Sequence, residues 1–592
     1  MARRLPRALR AVAAVAAVLS LAACTGLPTS GDVKQGLALG ASEEEPDILL
    51  LASGPSDGSS PSRIVDDFLE AGITPANNWE IAQRFLTPEL AEEWRPSAGV
   101  SIDESATSRT FTSSADQEAD AETDGSDAGV DVEGADADDA DAAEGSVVEV
   151  EVKIELVAAV DEAGAYSEET GTTTLAFSVR KTEGQWRISE APDGVVIDES
   201  RFGRVYEDYS LQYFDQTWTR LVPDVRWLPR RTTIATALTQ SLVAGVPSPW
   251  LESAVQSAFP ADVRLARDAV PIVDQVAMIA LNRAAQNIDD LTLARMRTQV
   301  EATFAAAGVR VSEVRFTVDG SPLDAGVVKV VADPNDSGAI VLRGEEFGTI
   351  VGGEITPIGG VSDEVLTVAS RLRTADVSAD GSRAALTLDD GHVYLAGDGS
   401  VDPLDSRSGL VAPSLDTSGF TWSVPSGAPG QLSVWDGDGV AYPIADAWPD
   451  ASEVSAIRVA SDGVRIAAVV TIGSERWVVV SAIVRDESGA PTGLGAMEPL
   501  GRLDGAARGL VWLGADRLGI LMEQDGPRIV VQIVGGTRTI ESAPAGAATI
   551  AGAQSATGMR LLDLAGVLFA RSGSSWREST TGIALLATRA GH

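Results

Sequence analysis

Between residues 377 and 520 one pattern returns four times, an aspartate in a small-residue turn at the head of an apolar run. It reads Val377-Ser-Ala-Asp380-Gly-Ser-Arg-Ala-Ala-Leu386, Pro413-Ser-Leu-Asp416-Thr-Ser-Gly, Val459-Ala-Ser-Asp462-Gly-Val-Arg-Ile-Ala-Ala468 and Trp512-Leu-Gly-Ala-Asp516-Arg-Leu-Gly-Ile. Successive aspartates stand 36, 46 and 54 residues apart, which brackets the roughly 40–45 residues of a four-stranded propeller blade. Asp389-Asp390-Gly391 and Asp436-Gly-Asp438-Gly439 supply hairpin turns between short β runs. Residues 326–592 carry almost no helical periodicity, so they are expected to form a five- or six-bladed β-propeller. An array of β-sandwiches would not repeat Ser-x-Asp-Gly at the entrance to a strand.

The preceding chain reads as two α+β domains. Over 63–200, Ile64, Val65, Phe68 and Leu69 mark one helix, and Trp79, Ala82, Phe85, Leu86 and Leu90 mark a second from about 78 to 94. Val148, Val150, Val152 and Ile154 then alternate with Glu149, Glu151, Lys153 and Glu155 as in a half-buried strand. A second strand over about 172–179 turns at Thr182-Glu-Gly184 into Gln185-Trp186-Arg-Ile188. Helices followed by such a meander are similar to a nuclear-transport-factor-two-like cone. Within this domain, residues 116–144 hold thirteen acids and no base, a composition expected to stay a disordered, solvated insertion. Its acids lack the ligand spacing of a calcium loop.

Over 201–325, apolar runs at Leu211–Phe214 and Leu221-Val222 flank a turn, and Ile234, Leu238 and Leu242 mark a helix over about 233–243. A helical stretch is expected from Trp250 to Phe259, then a buried strand Val276–Leu281, a helix carrying Leu293, Met296, Val300 and Phe304, and a strand from Val309 to Val318. The whole is thus a multidomain chain, two α+β domains followed by an all-β one.

The first 23 residues open with Arg3, Arg4, Arg7 and Arg10, continue with an apolar run from Ala11 to Leu21, and end in Ala22-Ala23 before the only cysteine, Cys24. This is the layout of a secretory signal, and its core is too short for a lasting membrane helix. Leu21-Ala22-Ala23-Cys24 resembles a bacterial lipobox, which implies cleavage before Cys24 and a diacylglycerol thioether on its sulfur. Residues 24–62, rich in Gly, Pro, Ser and Glu, are expected to be a flexible tether. The expected location is the extracytoplasmic face of the cell membrane, with the lipid on Cys24 as the membrane contact. Without residues 1–23, 41 basic groups face 86 acidic ones, which argues against nucleic acid as a partner.

The inventory offers little to a catalyst. The only histidines are His392, beside a hairpin turn where a solvated surface histidine is the default, and His592, the last residue; a Ser-His-Asp triad would have to use His392, and two histidines cannot build a His-rich zinc site. Gly54-Pro-Ser56-Asp-Gly58 matches a nucleophile elbow only formally, because it lies in the tether. No catalytic, cofactor-binding or metal-binding residue is assigned, and none of these groups is expected. Trp422, Trp435, Trp448, Trp477, Trp512 and Trp576 can stack on sugars but fit blade cores better.

Taken in order, Cys24-Thr-Gly-Leu-Pro-Thr-Ser-Gly31, Ile64-Val-Asp-Asp-Phe-Leu-Glu-Ala71, Arg84-Phe-Leu-Thr-Pro88, Leu221-Val-Pro-Asp-Val-Arg-Trp227, Ala235–Leu242 and Pro249-Trp250 through Ala258-Phe-Pro260 resemble the actinobacterial LpqB lipoprotein family. The resemblance implies that 201–325 is a GerMN domain, of the kind named for spore-germination proteins, ahead of a carboxy-terminal propeller. It also implies a non-catalytic accessory of the MtrA–MtrB two-component system. Such an accessory engages the extracytoplasmic part of the sensor histidine kinase and so affects cell-wall and division signalling. A propeller that binds or cleaves cell-wall glycan is the alternative, with cell-wall polymer as its partner.

Overall fold

In the computed structural model, which describes residues 53–114, 142–230, 233–332 and 338–592, the first domain opens with helix α1 (Pro61–Gly72). Ser60 caps it by accepting from the Arg63 N–H, and Pro61 sits where a missing N–H goes unmissed. Ile64, Val65, Phe68 and Leu69 form its inner stripe and are at most 4 % exposed, each contributing roughly 1.5–3 kcal/mol by leaving water. They pack on a sheet made of β1 (Gly99–Asp103), β2 (Thr110–Ser113), β3 (Val147–Asp161), β4 (Tyr166–Thr182), β5 (Gln185–Glu190) and β6 (Val195–Asp198). The order is β5-β4-β3-β1-β6, with β2 also paired to β3. Glu144, at the end of the expected acidic insertion, is held in place: its carboxylate accepts from the backbone N–H groups of Glu183 and Gly184 at the β4–β5 turn. Residues 116–141 of that insertion, and Cys24, lie outside the described residues.

The expected helix over 78–94 is instead two short ones, α2 (Glu80–Gln83) and α3 (Pro88–Glu93). Pro88 pushes Thr87 out of helical geometry and restarts the chain, with the Thr87 hydroxyl accepting from the Leu90 N–H. Leu86, freed from the helix, bridges Ile188 at the edge of the sheet.

After α4 (Glu199–Val205), a long hairpin of β7 (Tyr206–Asp215) and β8 (Leu221–Pro229) begins the middle domain. Helices α5 (Ile234–Ala244) and α6 (Asp290–Ala306) follow. The expected helical stretch to Phe259 is turns leading to β9 (Val255–Gln256), whose backbone is taken by pairing with Phe214 and Asp215 of β7. A second sheet runs β10 (Ile272–Val273), β11 (Val276–Leu281), β12 (Glu313–Val318) and β13 (Ser321–Pro322), with β11 and β12 parallel across α6. The strand expected from Val309 thus begins only at Glu313. Beyond it, residues 326–332 stay with the middle domain: the Val328 N–H donates to the Thr298 hydroxyl and the Val331 N–H to the Thr219 carbonyl.

Six four-stranded sheets follow, and their innermost strands close a ring. Blade 2 is Leu372–Val377, Arg383–Leu388, Val393–Gly397 and Ser400–Asp405; blade 3 is Ser414–Leu415, Thr421–Ser423, Ser433–Trp435 and Ala441–Pro443. Blade 4 is Ala451–Val459, Arg465–Ile472, Glu475–Arg485 and Glu498–Leu503, with Pro491–Leu494 as an extra strand. Blade 5 is Ala506–Trp512, Arg517–Glu523, Pro527–Ile533 and Arg538–Ser542; blade 6 is Ala547–Ala551, Arg560–Asp563, Leu568–Ser572 and Ser575–Thr580. Blade 1 combines Ala339–Arg343, Glu346–Val351 and Glu354–Pro357 with Leu585–Arg589, which supplies its innermost strand. That strand runs parallel to the first strand of blade 2, at Asp376↔Thr588 and Val377↔Arg589.

Candidate functional site: the propeller axis and the face around it

The repeated aspartates all stand between the first and second strands of a blade, so they share one face of the propeller with the turns between third and fourth strands. Around the axis beside them lies an ion pair that the repeat does not announce. Arg458, in the first strand of blade 4, meets Asp376, in that of blade 2, at 3.1 Å, and both side chains are at least nine-tenths buried. The Asp376 carboxylate also accepts from the Leu415 N–H of blade 3 at 2.7 Å and the Thr588 hydroxyl of blade 1 at 2.6 Å. Arg458 donates to the carbonyls of Pro413 and Leu510, and its own carbonyl accepts from the Trp512 indole. One pair thus ties together the inner strands of blades 1 to 5. Two buried charges are costly unless their remaining hydrogen-bonding capacity is met, and here backbone groups of neighbouring blades and the Thr588 hydroxyl meet it.

The same face carries the middle domain on blades 4 and 5. Arg220 donates to the Ser461 carbonyl at 3.2 Å, Ser210 to the Asp516 carboxylate at 2.8 Å, and Arg517 pairs with Asp208 at 2.8 Å. Beneath these polar contacts one apolar core runs unbroken from Tyr213, Leu238 and Phe304 to Val469, Val480, Leu510 and Trp512. Gly495 has no room for a side chain, since a Cβ there would stand 2.8 Å from the Ser253 hydroxyl. At the first domain's side of the joint, the Trp227 ring lies tilted against Phe202, centroids 4.8 Å apart, and donates its indole N–H to the Gly535 carbonyl of blade 5. Glu168 of β4 lies 3.8 Å from Arg538.

A buried polar cluster stiffens this joint. Asp224 takes both terminal nitrogens of Arg226, at 3.0 and 2.8 Å, and the backbone N–H and hydroxyl of Ser248. Burial raises its pKa, opposed by Arg226, Ser248 and the nearby Arg465. Arg465 lies 4.8 Å over the Trp512 ring and donates to Asp462 at 2.7 Å. The Asp462-Gly-Val-Arg465 spacing was the signal for this pair in the sequence, whereas nothing local announced Asp376 and Arg458.

The four motif aspartates differ in what they hold. Asp516 receives the middle domain, and Asp462 holds its own blade's Arg465. Asp416, buried, receives Arg485 from blade 4 at 2.6 Å and the Trp422 indole at 3.2 Å. Asp380 is exposed and accepts only within its own turn, from Ser378 and Ser382.

Other candidate residues are scattered. His392 is half-buried in its turn, 3.9 Å from Asp390, and His592 is buried. Ser56 is exposed ahead of α1. Trp422, Trp448 and Trp512 are core residues at most 2 % exposed, while Trp435, Trp477 and Trp576 are half-buried. Among the described residues no three His, Cys, Asp or Glu side chains converge as metal ligands, and no helix is long and apolar enough to cross a membrane. A small cleft of about 30 Å³ in the first domain is walled by Phe68, Leu69, Trp94, Phe177, Val195 and Val196.

Three family models match the chain in tandem. One described as the LpqB lipoprotein N-terminal domain covers residues 54–203, one described as sporulation and spore germination covers 210–324, and one described as the LpqB lipoprotein beta-propeller domain covers 345–585. Lipoprotein LpqB of Bifidobacterium longum is 27 % identical over 507 residues, spanning 83 % of this chain and 81 % of its own length. That of Streptomyces coelicolor is 28 % identical over 521 residues, spanning 80 % and 79 %. That of Corynebacterium diphtheriae is 25 % identical over 554 residues, spanning 86 % and 85 %.

Proposed function

The chain belongs to the LpqB lipoprotein family, and from that premise we propose that it is a non-catalytic lipoprotein, held by lipid on Cys24 at the extracytoplasmic face of the membrane. There it binds the extracytoplasmic domain of an MtrB-like sensor histidine kinase and changes its phosphotransfer, and through it cell-wall and division signalling. The observation that carries this reading is the continuous core joining the middle domain to blades 4 and 5. A joint without a solvated gap presents its outer surfaces in fixed relative positions, as a binding platform requires. The sequence adds the lipobox and the scant catalytic inventory.

Affinity capture of the lipidated protein from membranes tests it. The kinase is expected to co-purify, and Cys24→Ser is expected to abolish the effect on phosphotransfer in cells while leaving binding in solution intact. Retention of the soluble protein on cell-wall polymer, or release of soluble sugars from it, with no kinase captured, would favour a glycan-directed propeller built around Trp435, Trp477 and Trp576.

A further inference from the structure

The middle domain occupies only part of the propeller face on which it sits. The middle domain's contacts fall on blades 4 and 5, while on blades 1 to 3 the turns of this face carry exposed residues, although Asp416 of blade 3 is buried under Arg485 and Gly381 of blade 2 packs against Ile358. Asp380 is exposed, the Asp398 side chain is 84 % exposed, and Asp438 is exposed in the third-to-fourth-strand turn of blade 3. Two valines stand out beside them, Val351 at 67 % and Val440 at 52 % exposure.

Where turns of this face are engaged, arginine does much of the work. Arg220 reaches the Ser461 carbonyl, and Arg485 reaches both Asp416 and the Gly463 carbonyl. Among the described residues two basic side chains bond to the open turns: Arg383, 3.3 Å from Asp398 and packed so closely on Gly437 that a Cβ there would overlap it, and Arg343, which donates to the Gly353 carbonyl of blade 1 at 3.1 Å. Of the three carboxylates of these turns, only that of Asp398 is paired to a cation, and the Asp380 carboxylate bonds only within its own turn.

We propose that this arc, over blades 1 to 3, is a docking surface for a basic, arginine-bearing segment of a partner protein, which extends the interface already made by the middle domain. The partner's arginines meet Asp380, Asp398 and Asp438, and its apolar side chains cover Val351 and Val440. Charges at such a rim act mainly on the association rate and its salt dependence, and the apolar contacts on the lifetime of the complex. The proposal rests on the reading that the chain works by binding a protein, and specifies where.

The test uses the mature chain and the purified extracytoplasmic domain of the kinase. Asparagine keeps the turn-forming hydrogen bonds and tolerates the left-handed backbone of Asp398 (φ 53°), so the variant Asp380→Asn/Asp398→Asn/Asp438→Asn removes charge with little effect on fold. It is expected to slow association at least about tenfold at low salt and to flatten the salt dependence of the rate. Val351→Arg is expected to speed dissociation. Glu345→Arg, on the exposed turn at the opposite face of blade 1, is expected to change neither rate. Unfolding curves that match the unsubstituted protein separate surface from stability. Wild-type binding that is unaffected by the triple variant and by Val351→Arg overturns the surface while sparing the function. Failure of the unsubstituted protein to bind the kinase domain overturns both.

Discussion

Arg458 and Asp376 meet at 3.1 Å although their strands belong to blades separated by a third. Removing one partner leaves the other charged and buried with no opposite charge beside it. Asp376→Ala or Arg458→Ala is therefore expected to cost about 3–5 kcal/mol. The midpoint of urea unfolding reads this directly, and a midpoint equal to that of the unsubstituted protein would show that the pair supports nothing. Replacing both residues by leucine is expected to cost less than either single change.

Trp227 belongs to the middle domain, yet its ring packs in the core of the first domain and its indole bonds to blade 5. Trp227→Ala is expected to destabilise by about 3–5 kcal/mol, as large-to-small changes at buried aromatics do. Limited proteolysis should then cut within α4, Glu199–Val205, just before β7, at residues protected in the unsubstituted protein. Protection retained there would mean that Trp227 is not what holds the domains together.

Glu498 is pushed above the ordinary carboxylate range by burial alone, with no basic neighbour to oppose it. A raised folded-state pKa gives stability that is complete below the unfolded value of about 4.3 and is lost as pH rises through the folded value. Glu498→Gln is thus expected to stabilise at pH 7 and to make no difference near pH 4. Thermal unfolding at the two pH values checks it, and an equal shift at both would contradict the assignment.

Glu70 behaves in the opposite way, because its hydrogen bonds to Arg201 hold its pKa down. Its contribution is present above the unfolded value and falls away as acid passes the lowered one. Arg201→Gln is expected to lower stability at pH 7 and to flatten acid unfolding below about pH 4.3. An acid limb as steep as that of the unsubstituted protein would rule this out.

The sequence made the propeller legible because its clue was local: a turn aspartate leading into an apolar strand needs only neighbouring residues to be recognised. The same holds for α1, whose cap and stripe lie within one short segment. Local pattern failed where a distant partner or a proline decided the outcome. Trp79 to Leu90 keeps helical spacing across Pro88, but the chain breaks there and Leu86 is taken by Ile188. Val255 and Gln256, expected to be helical, are claimed by β7. The axis pair joins Asp376 to Arg458, and the face that the middle domain covers depends on Ser210 finding Asp516; no periodicity encodes contacts of that reach.

The strand Leu585–Arg589 closes the ring by pairing with Ala339–Arg343. During synthesis the amino-terminal side emerges first, so five sheets and most of a sixth are made before the piece that seals them arrives. Until then blade 1 shows an unpaired edge and blade 2 lacks its parallel neighbour, a state prone to join strands with other chains. Completion is therefore a late event of folding, and loss of this one short strand would leave a broken ring.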